Sequence, residues 1–398
     1  MSPDLFEGLD PNERFRARRA QARRRRHRRR LAALVLAVVL LIVAAGIGIG
    51  AKTIASSSDR GGQAKGAEAM PKKKQPVRPR PLPSEVRGVH VTMALASIPG
   101  QIDGYLKIPG LNTLEVDVKD ENGEIGFLLP ATSLARKIGA SKPYYKAGRL
   151  AGKARASGVY LIGRVVIFED PMLSEARPDM AIRLPDGSVW RNDAGLGWVN
   201  PYDQRVWDYN VEVASAAARA GFDEIQFDYV RFPSDGNVEA AVYRGKAAEA
   251  QGWTIARFVH YAATKLRKLG VRVSVDVFGL SATHDLGIGQ VPRRISKYVD
   301  AVYPMVYPSH YRPGEFNLPS PSDAPGTTVA RSLRDFNRAM RGRKAKLIPW
   351  LEDFTLGSSP RTPDEVRAQI AAARQAGSKG FLLWNPSGIY TQEVLEGT

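Results

Sequence analysis

From Arg87 onward, short apolar runs alternate with helical stretches, the pattern of repeated βα units around a parallel sheet. Eight runs read as strands: residues 88–93, 113–120, 159–168, 223–232, 271–279, 300–308, 346–354 and 380–386. Between them lie segments such as YYKAGRLAGKARASG, DQRVWDYNVEVASAAARAG and TPDEVRAQIAAARQAGS, with the periodicity of helices. The last of these carries its own boundary signals: Thr362 as N-cap, Pro363 at the first helical position, Glu365 to close a capping box, and Gly377 near its end.

The strands are not uniformly apolar. His90 and Thr92, then Glu115, Asp117 and Lys119, then Arg164, then Gln226 and Asp228, then Ser274 and Asp276 occupy one alternate phase, while Leu114, Val116 and Val118 or Val273, Val275 and Val277 occupy the other. In an open doubly wound sheet the polar phase would lie on a face that helices must cover. In a closed barrel it converges on one interior. Eight βα units in about 310 residues therefore predict an α/β fold, a (β/α)8 TIM barrel over residues 87–398, with its site at the C-terminal ends of the strands.

A different pattern precedes the barrel. Leu31–Gly50 is a run of uncharged, mainly apolar residues, long enough to cross a hydrocarbon core as one helix. Arg23–Arg26 and Arg28–Arg30 stand directly before it, so the positive-inside rule places residues 1–30 in the cytoplasm as a basic tail and everything after the span outside. A cleaved signal peptide is the other reading, disfavoured by the length of the run and the lack of a small-x-small site before polar residues. Residues 51–86, rich in Pro, Lys, Gly and Ser, read as a flexible linker. The expectation is a single-pass membrane protein with an extracytoplasmic barrel.

Charge changes little in that picture. Of the formal net charge of +18, residues 1–30 carry +7 and residues 51–86 carry +5, leaving about +6 for the barrel, so the high pI does not call for a nucleic-acid partner. There is no cysteine, which excludes disulfides, thiolate zinc sites and thiol nucleophiles. His27, His90, His260, His284 and His310 form no HxH or HExxH motif, so no metal is assigned, although His90, Asp117 and Asp276 leave one three-residue set open. No GxSxG or GxxxxGK[ST] motif is present, and no cofactor is assigned.

What remains is carboxylates. Burying an ionised acid is costly unless it is paired, hydrogen-bonded or facing a wet cleft. Asp228, set in the apolar string GFDEIQFDYVRFPSD, is therefore the first candidate catalytic residue, as nucleophile or base, with an ion pair to Arg231 as the structural alternative. Asp276 lies in the equivalent phase of the next strand and is the first candidate acid; Glu169, at the end of the third strand, is the second. Asp276 could instead be neutralised by Lys119 or Arg231. Candidate substrate-binding residues are Asp117, Lys119, Arg164, Trp198, Tyr229, Arg231, Tyr303, Tyr307, Trp350 and Trp384, a mixture of charged edges and aromatic faces that suits a saccharide.

The strings WVNPYDQRVWDYN, GFDEIQFDYVRFPSDG, VSVDVFG, VYPMVYPSHY and LLWNP, in that order, with VDVKDENG at Val116–Gly123, resemble the family described as "Putative glycosyl hydrolase domain". The resemblance runs from Arg87 to about Tyr390, with FDYVRFP as its most specific piece. It implies a TIM barrel that hydrolyses O-glycosyl bonds of a polysaccharide or oligosaccharide, with Asp228 similar to the strand-4 catalytic acid of glycosidase barrels. Two readings from other classes stand beside it: a carbohydrate-binding barrel without catalysis, and a metal-dependent polysaccharide deacetylase.

Overall fold

The computed structural model describes residues 78–246, 249–354 and 361–396. The basic tail, the apolar run 31–50 and residues 51–77 of the linker lie outside the described residues. Among the described residues no helix is long and apolar enough to cross a membrane.

The strands are β1 (Val86–Val91), β2 (Thr113–Lys119), β3 (Tyr160–Val166), β4 (Glu224–Asp228), β5 (Arg272–Phe278), β6 (Ala301–Val306), β7 (Lys346–Leu347), β8 (Trp350–Glu352) and β9 (Gly380–Trp384). All pair in parallel, in the order β5-β4-β3-β2-β1-β9-β8-β6, and β5 also pairs with β6, which closes the sheet. β7 and β8 are two halves of one strand. Pro349 between them has no N–H to give the ladder, while its carbonyl still accepts from Leu382 N at 3.0 Å. The result is a closed eight-stranded parallel barrel, wrapped by helices of which the longest are α1 (Ala147–Ala156), α2 (Gln204–Ala220), α3 (Gln251–Arg267), α4 (Pro325–Ala339) and α5 (Pro363–Gln375).

The strand alternation sorts the core. Leu114, Val116, Leu161, Val165, Ile225, Phe227, Val273, Val275 and Val302 are buried against the helices, supplying the apolar drive. Small residues allow close approach where a helix connection presses on the wall: a Cβ on Gly163 would stand 2.8 Å from the Phe222 ring and 2.9 Å from Val118. The capping box at α5 forms as its sequence predicts, with Thr362 and Glu365 each accepting the other's backbone N–H.

Two boundaries differ from the sequence pattern. The fourth strand leaves the sheet after Asp228 rather than continuing to Phe232, because Tyr229 adopts φ 49°, a left-handed conformation costly for a bulky residue. The folded part also begins earlier than Arg87. Arg80 donates to the carbonyls of Gly158 and Val159, each at 2.9 Å, and to Asp223 at 3.1 Å, while Arg272 Nε donates to the Arg80 carbonyl, so residues 78–85 are built into the N-terminal end of the barrel.

Candidate active site

The inward phase places His90, Glu115, Asp117, Arg164, Gln226, Asp228, Asp276, Trp350 and Trp384 around one interior. Register explains the meeting: His90 stands opposite Glu115, Asp117 opposite Arg164, Arg164 opposite Gln226, and Val166 opposite Asp228. At the centre is Arg164, 2% exposed. Its Nε and Nη2 donate to Asp228 Oδ2 at 2.9 and 2.6 Å, and its Nη1 donates to Asp117 Oδ1 at 2.7 Å and to Glu121 Oε2 at 3.4 Å. The other Asp228 oxygen accepts the Tyr229 N–H at 2.7 Å, a contact that the left-handed backbone at Tyr229 provides. Asp228 is thereby fixed as an oriented carboxylate. The surrounding acids hold the Arg164 guanidinium charged against the opposing effect of burial.

Asp276 has a contrasting environment. It is 1% exposed; its Oδ1 accepts from Trp350 Nε1 at 2.7 Å and from Gln226 Nε2, and among the described residues no cation pairs with it. Burial first, and then the charges of Asp228 and Glu115, push its carboxyl well above the usual carboxylate range. Glu115 is pushed the same way, chiefly by burial, and shares a hydrogen bond with His90 Nδ1. His90 Nε2 lies 3.7 Å from Asp117 Oδ2, and its ring packs on Trp384 at 4.5 Å between centroids. One interior thus holds an acid clasped by a cation and another whose hold on its proton is strengthened, the division that general acid and base catalysis requires.

Some predicted residues lie elsewhere. Lys119 does not face the interior. The β2–β3 register slips between Asp117 and Lys119, so Lys119 pairs with Val165 of the outer phase. There its ammonium is fully buried, donating to Asp170 Oδ2 at 2.8 Å, Asn210 Oδ1 at 2.7 Å and the Ile167 carbonyl at 3.4 Å. Arg231 pairs with neither Asp228 nor Asp276. Its guanidinium lies 4.9 Å from the Trp198 ring, 5.0 Å from Tyr229 and 4.9 Å from Phe278, and donates to the Phe232 carbonyl. Trp198 is fully buried behind it. Glu169 sits at the head of the β3–α2 excursion, bridged to the Trp198 backbone and accepting from Asn192 Nδ2 at 3.1 Å. Tyr303 points to the barrel floor, where it and Tyr160 donate to Glu224 at 3.0 and 2.9 Å. Tyr307 closes the β6 end beside His310 and Phe354, its hydroxyl pushed up chiefly by burial.

Glu121 escaped the sequence reading, and so did Arg164 as the partner of Asp228. Glu121 lies in the turn Asp120–Gly123, whose tight geometry Asp120 organises by accepting the backbone N–H groups of Asn122 and Glu124 at 2.9 and 3.0 Å. The signal available was the DENG turn at a strand's C-terminal end. Among the described residues, no group of three or more His, Cys, Asp or Glu is arranged to hold a metal ion.

The chain that builds this interior matches a known family. The family model described as "Putative glycosyl hydrolase domain" matches residues 88–390. No curated protein matches the chain. Among solved structures, the glycoside hydrolase domain of PgaB (BpsB) from Bordetella bronchiseptica is 15% identical, covering 79% of this chain and 100% of that one with a TM-score of 0.53. An endo-beta-1,4-mannanase from Thermotoga petrophila is 11% identical over 78% of this chain and 75% of its own, also at 0.53. A hypothetical protein from Ruminiclostridium thermocellum is 33% identical over 48% of this chain and 97% of its own, at 0.43. The first two establish likeness of fold.

Proposed function

The chain belongs to the family described as "Putative glycosyl hydrolase domain", and from that premise we propose that its barrel hydrolyses O-glycosidic bonds of a polysaccharide. The observation that carries the proposal is the unequal treatment of two acids facing one interior. Asp228 is clasped by the Arg164 fork, while Asp276, which accepts only from neutral donors, has its carboxyl pushed well above the usual range, first by burial. Asp276 gives its proton to the leaving oxygen, and Asp228 acts on the anomeric carbon as nucleophile, or on water as base. Glu169, bound by Asn192 in the excursion, becomes the second choice for the acid. Trp384, on the His90 and Arg164 side of the interior, offers a ring face to a sugar.

The same proposal places the barrel outside the cell on a single membrane anchor, residues 31–50, a step supported by the apolar run and its arginine flank. The test is release of reducing sugar from a panel of envelope and environmental polysaccharides by the full chain, with Asp228→Asn and Asp276→Asn as controls. Wild-type turnover lost in both variants supports the assignment. A wild type that binds saccharide yet is silent across the panel leaves a carbohydrate-binding barrel instead, and activity that EDTA removes points to metal-dependent deacetylation.

A further inference from the structure

The barrel's charges are divided between its two ends. Glu115, Asp117, Glu121, Asp228 and Asp276 gather in the interior and toward the C-terminal mouth around Arg164. At the opposite end, in the sector of β6 and β7, the side chains of Arg293, Lys297, Arg338, Arg341, Lys344 and Lys346 are exposed. Hydrogen bonds to backbone carbonyls hold the segments that carry them together: the Arg343 side-chain Nε donates to the Arg293 carbonyl at 3.1 Å, and the Lys346 N–H donates to the Asp300 carbonyl at 2.9 Å. Among the described residues only Arg338 of the six has a carboxylate within ion-pair reach, Asp335 at 3.9 Å.

Favourable placement at helix C-termini explains part of this. Every βα helix ends at the N-terminal face of the barrel, and a cation in a last turn complements the helix dipole, as Arg338 does in α4. It does not explain Arg341, Lys344, Lys346 or Lys297, which lie beyond the last turns of their helices. Nor does fold stability explain them, since unpaired like charges on one face repel.

The chain reaches the barrel at this same end. Residues 78–85 are fastened there through Arg80, whose carbonyl accepts from Arg272 at the start of β5, the strand beside β6. We propose that the basic β6–β7 sector of the N-terminal face docks on an anionic lipid surface, so that the mouth of the barrel points away from the membrane. The face belongs to the barrel itself, so the inference stands whether or not residues 31–50 span the bilayer, and independently of the glycosidase assignment. Attraction of this kind acts over about a Debye length, roughly 8–10 Å in physiological salt, so only a face laid close to the headgroups benefits.

The absence of cysteine allows a direct test on the full chain. A fluorophore is placed through Thr264→Cys, in the last turn of α3 at the N-terminal end, or through Ser97→Cys in the loop after β1 at the mouth. Each labelled chain is then incorporated with vesicles of phosphatidylcholine alone, or of phosphatidylcholine with phosphatidylglycerol, containing headgroup spin labels. The expected result is strong quenching at residue 264 in the anionic vesicles only, weak quenching at residue 97, and loss of the difference in about 1 M salt. The triple variant Lys297→Gln, Arg341→Gln, Lys344→Gln, shown to melt with the parent, should bring quenching at residue 264 down to the level seen in phosphatidylcholine. Three results overturn the proposal: no difference between vesicle types, quenching at 264 that survives the triple variant and so belongs to the N-terminal tail, or equal quenching at both positions. Patch-dependent retention of duplex DNA with no response to vesicles would make nucleic acid the partner instead.

Discussion

Two buried cations on neighbouring strands, Lys119 of β2 and Arg164 of β3, each bind a carboxylate, yet they stand on opposite sides of the same wall. Arg164 faces the interior and holds Asp228, Asp117 and Glu121. Lys119 faces outward and is sealed between the sheet and α2 by Asp170, Asn210 and the Ile167 carbonyl. Burial is alike, at 2% and 0% exposure, so burial does not separate them. What separates them is the side of the sheet, and the register slip after Asp117 decides that side. The outer pair has every polar atom of the cation spent on the protein. The inner one gathers three acids around an interior lined by Trp384 and Trp350, an excess of carboxylate over cation that the outer pair does not have.

The comparison breaks first if the inner acid is dispensable. Asp228→Asn should lower kcat by about 10²–10⁴-fold, the range for loss of a positioned acid or base, with a smaller stability loss of about 1–3 kcal/mol because the amide oxygen can accept from Arg164 or from the Tyr229 N–H but not from both. Reducing-sugar kinetics beside a melting curve check this. Lys119→Met should do the reverse. It leaves Asp170 and Asn210 buried without their cation, a loss of about 3–5 kcal/mol measured by denaturant titration, while kcat of the remaining folded protein stays near wild type. Arg164→Lys keeps the charge but loses the fork, so Asp228 is no longer gripped on both Nε and Nη2; kcat should fall by about 10-fold or more with KM nearly unchanged. If Lys119→Met and Arg164→Lys affect kcat alike, the wall does not divide site from scaffold.

Asp276 sharpens the contrast through pH. Its folded pKa is raised, so between the ordinary carboxylate value and that raised value the native state holds a proton the unfolded chain has released, and stability falls as pH rises through this window. Asp276→Asn removes the effect. The variant should gain stability relative to wild type as pH rises from about 4, with no gain in more acid solution. In the wild type the same proton should appear as the alkaline limb of kcat/KM. Melting temperatures of the two proteins across pH test the first claim; a constant difference between them would remove Asp276 as the group that holds the proton.

Alternation alone located the eight strands within a few residues and put Asp117, Arg164, Gln226, Asp228 and Asp276 on one side. It failed where a side chain's place depends on something other than period two. Lys119 falls in the inward phase by counting, and only the slip between Asp117 and Lys119 turns it out. Arg231 is the structural alternative that the sequence offers as partner of Asp228, whereas the partner in the structure, Arg164, is 64 positions away and meets it through strand register. Tyr229, in left-handed conformation, is what redirects the chain and sends Arg231 among the rings of Trp198 and Phe278. A bulky residue there carries no local signal. The β7–β8 break at Pro349 was, by contrast, legible in principle, since proline cannot donate to a central ladder.

The smallest expected effect concerns a third pair, at the far end of the barrel, where residues 78–85 join it. Arg80 is about a third exposed and binds Asp223, itself 4% exposed, together with the carbonyls of Gly158 and Val159. Asp223 keeps other support when Arg80 is removed, accepting the Leu161 N–H at 3.0 Å and lying 3.5 Å from Arg155. Arg80→Ala should therefore cost only about 1–2 kcal/mol, against the larger loss at Lys119, where the ammonium is, among the described residues, the sole cation on Asp170. Activity should not change, because the pair lies beneath the β3 and β4 starts, while Asp228 is held at the other end of β4. Denaturation midpoints of chains beginning at residue 78 and at residue 87 provide the independent measure: the shorter chain should lose at least what Arg80→Ala loses, and equal midpoints would mean that this segment is an appendage rather than part of the barrel's floor.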